Sequence, residues 1–294
     1  MNMNGKEKLE KEAARADIVA EIRELFPEKK FPSPVLEPMY YGRLEKKPVN
    51  KRFLVLDKNT GNQFDIVSDE YHLVWHEEVV KSILDSCPQE YGKPRISVSI
   101  LNNGATCSVG AFFPELGDYA VNGSKLQPGI KMFNSMNRTR QLEFTFGALE
   151  LVCTNGLMHW TSKTNQKFKH MTGSMEKLIV ENEIKGSLDD FSSQYEIWNK
   201  WVDHKIKASD IEEVISILPY SEKEREKLME IPLLNHGETS LTEMLEKNKE
   251  ISLWAINSAA TQYARHNVKA ELRSECLESD IGNKMMDFWN KVKW

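Results

Sequence analysis

Few residues in this sequence are placed to do covalent chemistry. Cys153, His159 and His170 bring a thiol and two imidazoles into one stretch, and a thiol near an imidazole base is the minimum for a cysteine nucleophile. The preferred reading of the same stretch is a small buried cysteine at a strand end, with Asn155-Gly156 as a turn that needs positive φ. Glu143 with Glu150, or Asp189 with Asp190, offers the paired carboxylates of metal-dependent nucleic-acid cleavage, but neither pair comes with the strand-borne lysine that completes such a site. His76-Glu77-Glu78 is not followed by histidine at position 80, so the two-histidine helix face of a zinc peptidase is missing. No GxxxxGK[ST], GxGxxG or GxSxG segment occurs. The expectation is a chain with no catalytic residues, no metal and no cofactor; a nuclease or other hydrolase is the alternative ranked last.

Charge is more informative. The chain carries a net charge of −5, yet residues 119–175 hold Lys125, Lys131, Arg138, Arg140, Lys163, Lys167 and Lys169 against only Glu143 and Glu150. Phe133, Phe144, Phe146, Trp160, Phe168 and the imidazoles of His159 and His170 are interleaved with them. Cations that neutralise phosphates beside rings that stack bases are what single-stranded nucleic acid needs, stacking contributing about 1–3 kcal/mol per base. On this reading Arg138, Arg140, Lys163, Lys167 and Lys169 track phosphates, Trp160 and Phe168 stack bases, and His170 completes the set. The competing reading makes Phe144 and Phe146 alternating core residues and the three lysines a solvated loop.

The elements that must position these residues follow from periodicity. Ala14, Ile18, Ile22 and Phe26 recur every fourth residue in an amphipathic helix that Pro27 ends, and Pro27, Pro32, Pro34 and Pro38 keep the next stretch extended. This helix either docks on a neighbouring subunit or packs on its own domain. Phe53–Asp57 and Gln63–Val67 flank a turn of Asn and Gly, a helix runs from His76 to Ser86, and Ile96, Val98 and Ile100 alternate before Asn102-Asn103-Gly104 turns into a strand over 106–113. Two more extended segments cover 130–136 and 140–153, with a loop after them. Leu188, Phe191, Tyr195, Trp198 and Val202 mark one long helix from Ile184. Ser209 with Glu212, Ser221 with Glu224 and Ser240 with Glu243 match the S-x-x-E capping box, and helices follow over 253–264 and 272–281, the last ending at Gly282. The fold class is therefore α+β, an antiparallel sheet domain with packed helices followed by an all-helical C-terminal region. The expected division is an N-terminal helix and proline tether over 1–38, an α+β core over 39–205 and a helical region over 206–294.

Several stretches carry a resemblance. Phe64-Asp65-Ile66-Val67-Ser68-Asp69-Glu70-Tyr71, Phe133-Asn134-Ser135, the block Cys153-Thr154-Asn155-Gly156, His170, and the helix with Trp254, Asn257, Thr261, Tyr263 and His266 resemble the phage- and plasmid-associated domain-of-unknown-function 932 family. The chain departs from that pattern at Met136-Asn137-Arg138-Thr139, where an acidic D-G-S run is usual, and at Ser258, where alanine is common. The resemblance implies a phage, prophage or plasmid gene and no established activity. The order helix, antiparallel strands, long helix is also similar to the core of phage single-strand-annealing proteins, whose rings hold nucleic acid in a basic groove.

The 294 residues, 40% hydrophobic and 28% charged, suffice for a buried core without disulfide or metal staples. Cys87, Cys107, Cys153 and Cys276 are widely spaced and read as reduced thiols, no run of residues is apolar enough to span a membrane, and the first 25 residues alternate Lys and Glu, so a cytoplasmic protein of an infected or plasmid-bearing host is expected. The functional expectation is a single-stranded nucleic-acid-binding protein for replication, recombination or annealing, oligomeric through its N-terminal helix. The alternative is a factor that inhibits or redirects a host enzyme through its acidic helical half.

Overall fold

The computed structural model describes residues 5–43, 45–151, 157–168, 177–233 and 239–292. Helix α1 (Gly5–Leu25) stops ahead of Pro27 and lies on α2 (His76–Ser86) of the same chain. Arg15 Nε donates to Glu78 Oε1 at 2.9 Å, Arg23 Nε to Glu77 Oε1 at 2.8 Å and Lys81 Nζ to Glu21 Oε1 at 2.9 Å, while Ile22 is fully buried. The face expected to serve subunit docking or intramolecular packing is thus used within the chain.

Strands β1 (Pro34–Tyr41), β2 (Lys47–Asp57) and β3 (Gln63–Ser68) form a three-stranded antiparallel meander. Its β2–β3 turn is held by the Asp57 carboxylate, which accepts hydrogen bonds from Ser33 N, Asn59 N and the Thr60 hydroxyl. Burial acts to raise the Asp57 pKa, but these donors outweigh it and hold the group below its ordinary value.

The larger sheet has the order β4-β5-β7-β8-β9, built from β4 (Arg95–Leu101), β5 (Thr106–Phe112), β7 (Ser124–Ser135), β8 (Leu142–Glu150) and β9 (Leu157–Phe168), with β6 (Tyr119–Val121) pairing the start of β7. The segment after β8 is therefore a strand of twelve residues where a loop was expected. Its run Thr161-Ser162-Lys163-Thr164-Asn165-Gln166-Lys167 shows no apolar alternation. Phe112 lies flat over two glycines: a Cβ on Gly129 would meet its Cδ1 at 2.4 Å, and one on Gly110 its Cε2 at 2.9 Å. Only glycine leaves room for that ring.

The stripe from Ile184 to Val202 is shared by two helices, α3 (Lys177–Asp189) and α4 (Phe191–Asp203), which break at Asp190. Both bury the same side, so the spacing survives the break: Phe191 stands edge-on to Phe146 and Trp198, each at 5.9 Å. The two-residue strands β10 (Lys205–Ile206) and β11 (Ile251–Ser252) pair across the helical region. Between them lie α5 (Ile211–Ser216), α6 (Glu222–Glu230) and α7 (Leu241–Glu246). Ser221 and Ser240 cap α6 and α7 as expected. Ser209 does not cap: it sits in a short 3-10 turn, its hydroxyl donates to Asp210, and α5 begins beyond it. Helices α8 (Leu253–Asn267) and α9 (Glu271–Val292) complete the chain, and α9 runs through Gly282, a buried residue in its interior rather than its stop.

One apolar core continues from Ile22 through Val109, Ile130 and Phe146 of the sheet to Trp198, Trp254 and Met285. Across the sheet's other register face, Lys131 is buried with its ammonium 3.0 Å from Glu275 and 4.0 Å from Glu278 of α9, an internal ion cluster that Arg265 joins at 3.6 Å. No described helix is long and apolar enough to cross a membrane.

Candidate nucleic-acid interface

The turn between β7 and β8 places the first two expected phosphate ligands. Ser135 Oγ donates to Asn137 Oδ1, and the same oxygen accepts from the Thr139 hydroxyl at 2.7 Å, which lets Arg138 take a left-handed φ of 55°. Met136-Asn137-Arg138-Thr139, where the chain departs from the family pattern, is thus a self-bonded turn. Both forks of the Arg138 guanidinium engage Asp65 of β3, Nη2 donating to Oδ1 at 2.9 Å. Arg140 lies 4.1 Å above the Phe133 ring and 3.9 Å from Glu143. Arg138 is thus paired with a carboxylate of its own chain, and Arg140 lies near one without a hydrogen bond to it. Part of the excess positive charge of residues 119–175 is drawn inward by Lys131 with Glu275 and Glu278, while Lys125 pairs with Asp118 at the surface. Partners as distant in sequence as Asp65, Glu275 and Glu278 escape a count made over one segment.

The other expected ligands lie on β9 or beyond it. Lys167 and Phe168 pair in register with Glu143 and Leu142, beside the turn that carries Arg138 and Arg140. Trp160 pairs with Gly147, four rungs away, or roughly 13 Å at the strand rise. Between Thr161 and Gln166 the strand holds residues with no partner on β8, and Lys163 is among them. Lys169 and His170 fall outside the described residues, as do Cys153, Thr154, Asn155 and Gly156. The structure therefore groups Arg138, Arg140, Lys167 and Phe168 at one end of the sheet and sets Trp160 apart.

Of the remaining motif residues, Asn134, Asn257, Trp254 and Tyr263 are interior, and the two asparagines form matching arrangements. In one, Asn134 of β7 donates through Nδ2 to His76 Nδ1 at 2.9 Å and to Val74 O at 3.1 Å, and His76 Nε2 donates to Gly104 O at 2.9 Å. In the other, Asn257 of α8 donates through Nδ2 to His159 Nδ1 at 2.9 Å, and His159 Nε2 meets Glu150 Oε2 at 2.6 Å. Each clasps a helix to the sheet, and the donor pattern fits an imidazole carrying its proton on Nε2. Burial acts to raise the Glu150 pKa, but hydrogen bonds from His159 and Ser124 hold it below its ordinary value. Trp254 and Tyr263 are buried, Trp254 at 4.5 Å from the His159 ring and Tyr263 edge-on to Tyr220, whereas His266 is exposed at the end of α8.

Among the described residues, the arrangements that could have supported chemistry are not assembled; Cys153 and His170 of the thiol–imidazole candidate lie outside them. His159 is committed to Glu150 and Asn257. Glu143 and Glu150 stand at opposite ends of β8, and Asp189 accepts a 2.6 Å hydrogen bond from Tyr91. Burial pushes the Cys87 thiol up to about 12 and raises Cys107 and Cys276 as well, which disfavours a thiolate at each. Among the described residues no three His, Cys, Asp or Glu side chains are grouped to hold a metal ion.

A family described as "Domain of unknown function (DUF932)" matches residues 63–283, most of the chain. No curated protein and no solved structure matches it.

Proposed function

We propose that this chain, which belongs to the DUF932 family, binds single-stranded nucleic acid through β9 and acts in replication, recombination or strand annealing without covalent catalysis. One observation supports the reading: the terminal strand of the six-stranded sheet carries Trp160, Lys163, Lys167 and Phe168, with Lys163 in a stretch that makes no ladder pairs. Lysines with aromatic rings suit a flexible polyanion whose bases are unstacked. Arg138 and Arg140 shape the β7–β8 turn in this reading and do not grip phosphate. Annealing needs only that backbone repulsion be neutralised while bases stay accessible.

Fluorescence anisotropy of a labelled single-stranded oligonucleotide at two salt concentrations, beside a duplex of equal length, tests this. Expected are preference for the single strand, affinity that falls steeply with salt, and a salt slope reduced by about 1.4 in K163E/K167E, at roughly 0.7 per phosphate contact. R138A stays within about twofold of wild type, since Asp65 already holds that charge. Absence of binding at low salt overturns the reading and moves attention to the exposed Glu222, Glu226 and Glu230 of α6 as a contact for a protein partner.

A further inference from the structure

Residues 36–52 contain the tip of the β1–β2 hairpin. Every described residue in this stretch is exposed except Met39 and Val49, which are half-buried. A two-stranded ribbon open on both faces buries almost no apolar surface and is marginal in water by itself. Its chemistry is distinctive. Arg43, Lys46, Lys47, Lys51 and Arg52 stand against Glu37 and Glu45, in a chain whose net charge is −5. Lys47 reaches Glu45 only at 3.8 Å and Lys51 reaches Asp69 at 3.5 Å, both between exposed side chains. Arg43, Lys46 and Arg52 have no ion pair among the described residues.

Two rings share this tip. Tyr40 is 55% exposed opposite Pro48, and Tyr41 is 60% exposed opposite Lys47. As neighbours on a strand they face opposite sides of the ribbon. The register between Pro38↔Phe53 and Tyr40↔Pro48 leaves extra residues on β2, with Lys51 at a φ of 55°, a bulge that re-aims the cations around it. The turn requires Gly42, whose φ is 101° and whose Cβ would fall 2.2 Å from the Glu45 carbonyl oxygen. The ribbon lies wholly outside residues 63–283, the stretch that the family matches.

The geometry points to the β1–β2 ribbon as a second contact for single-stranded nucleic acid, its cations on phosphates and Tyr40 and Tyr41 on unpaired bases. Cations alone would serve any polyanion. Exposed rings beside them favour a partner with flat faces free to stack, which a duplex or a lipid surface does not offer. The inference rests on the proposed function and adds a site to it.

The test titrates a labelled single-stranded oligonucleotide with full-length wild type, R43E/K46E/R52E, Y40A/Y41A and K163E/K167E. Unchanged denaturation midpoints first establish that the ribbon variants are folded, as expected for exposed positions. R43E/K46E/R52E weakens binding at least tenfold and lowers the salt slope by about 2, at roughly 0.7 per contact. Y40A/Y41A weakens it about fivefold or more with the slope unchanged. Wild-type binding that both ribbon variants retain overturns the ribbon site and leaves the proposed function standing; no wild-type binding overturns the function itself. Duplex bound as tightly as single strand with no effect of Y40A/Y41A, or a ribbon-dependent affinity for phosphatidylserine vesicles alone, also overturns the assignment.

Discussion

Replacing Asn257 by alanine separates a structural motif from a ligand site. The Asn257 amide donates to a fully enclosed imidazole, His159, whose other nitrogen is held by Glu150 on the neighbouring strand. N257A leaves the His159 Nδ1 lone pair buried without a donor, which costs about 1–3 kcal/mol. The missing carboxamide opens a void of about 30 Å³, adding about 0.7 kcal/mol at roughly 24 cal/mol per Å³. The expected loss is about 2–4 kcal/mol, a large share of the roughly 5–15 kcal/mol that holds a domain folded. In urea, with a slope of about 3 kcal/mol per M, the midpoint falls by about 1 M. A cycle with H159Q should be non-additive, the double variant costing less than the sum by about 1 kcal/mol or more, because both changes break one contact. A midpoint within about 0.2 M of wild type, or an additive cycle, refutes the clasp. So does N257A that keeps full stability and loses oligonucleotide binding, which would make Asn257 a ligand contact.

Two further outcomes follow from the internal charges. K131M strands Glu275 and Glu278 without their shared cation and should cost about 3–5 kcal/mol by urea denaturation, while K131M/E275Q/E278Q recovers most of it; equal instability of the two variants would show that the cluster does not act through charge. Glu224 is held at about 2 chiefly by its hydrogen bond from Arg273. A depressed carboxylate contributes stability above its unfolded pKa and loses it as pH falls through the folded value, so E224Q should be less stable than wild type at pH 7 and converge with it near pH 2. Because Arg273 is half exposed, the neutral-pH difference is expected near 1 kcal/mol, and a difference that persists at pH 2 would exclude a charge origin.

The elements legible in the sequence are those whose local pattern and tertiary role agree. Ile96, Val98 and Ile100 alternate because β4 has one face on the core, and Ser221 with Glu224 marks α6 because a helix start satisfies its donors locally. Strand β9 is formed by pairing with β8 and not by its own polar residues, so no local signal announces it. The break at Asp190 is hidden because α3 and α4 bury one continuous stripe. Among the candidate ligands, the partners of Arg138 and Arg140 are not legible locally, because Asp65 is 73 residues away from Arg138 and Phe133 lies a strand before Arg140. The start of β1 is overlooked because Pro34 to Pro38 read as a tether, although proline on an edge strand also discourages unwanted pairing.

The two His–Asn clasps also bear on where function resides. His76 with Asn134 and His159 with Asn257 each use a family-motif asparagine to fix a helix on the sheet, and Trp254 and Tyr263 fill the core beside the second. Residues so enclosed have no surface left for a large ligand, and a partner that touched them would first have to break the core. Asn134, Asn257, Trp254 and Tyr263 therefore act in closure of the fold. The contacts proposed above lie outside them, on β9 and on a ribbon that precedes the matched region. A polyanion-binding protein gains from this separation, because surface charges can change without disturbing a core whose own charges are internally paired. Variants of the two surfaces should then alter affinity at constant stability, and variants of the clasps should alter stability at constant affinity.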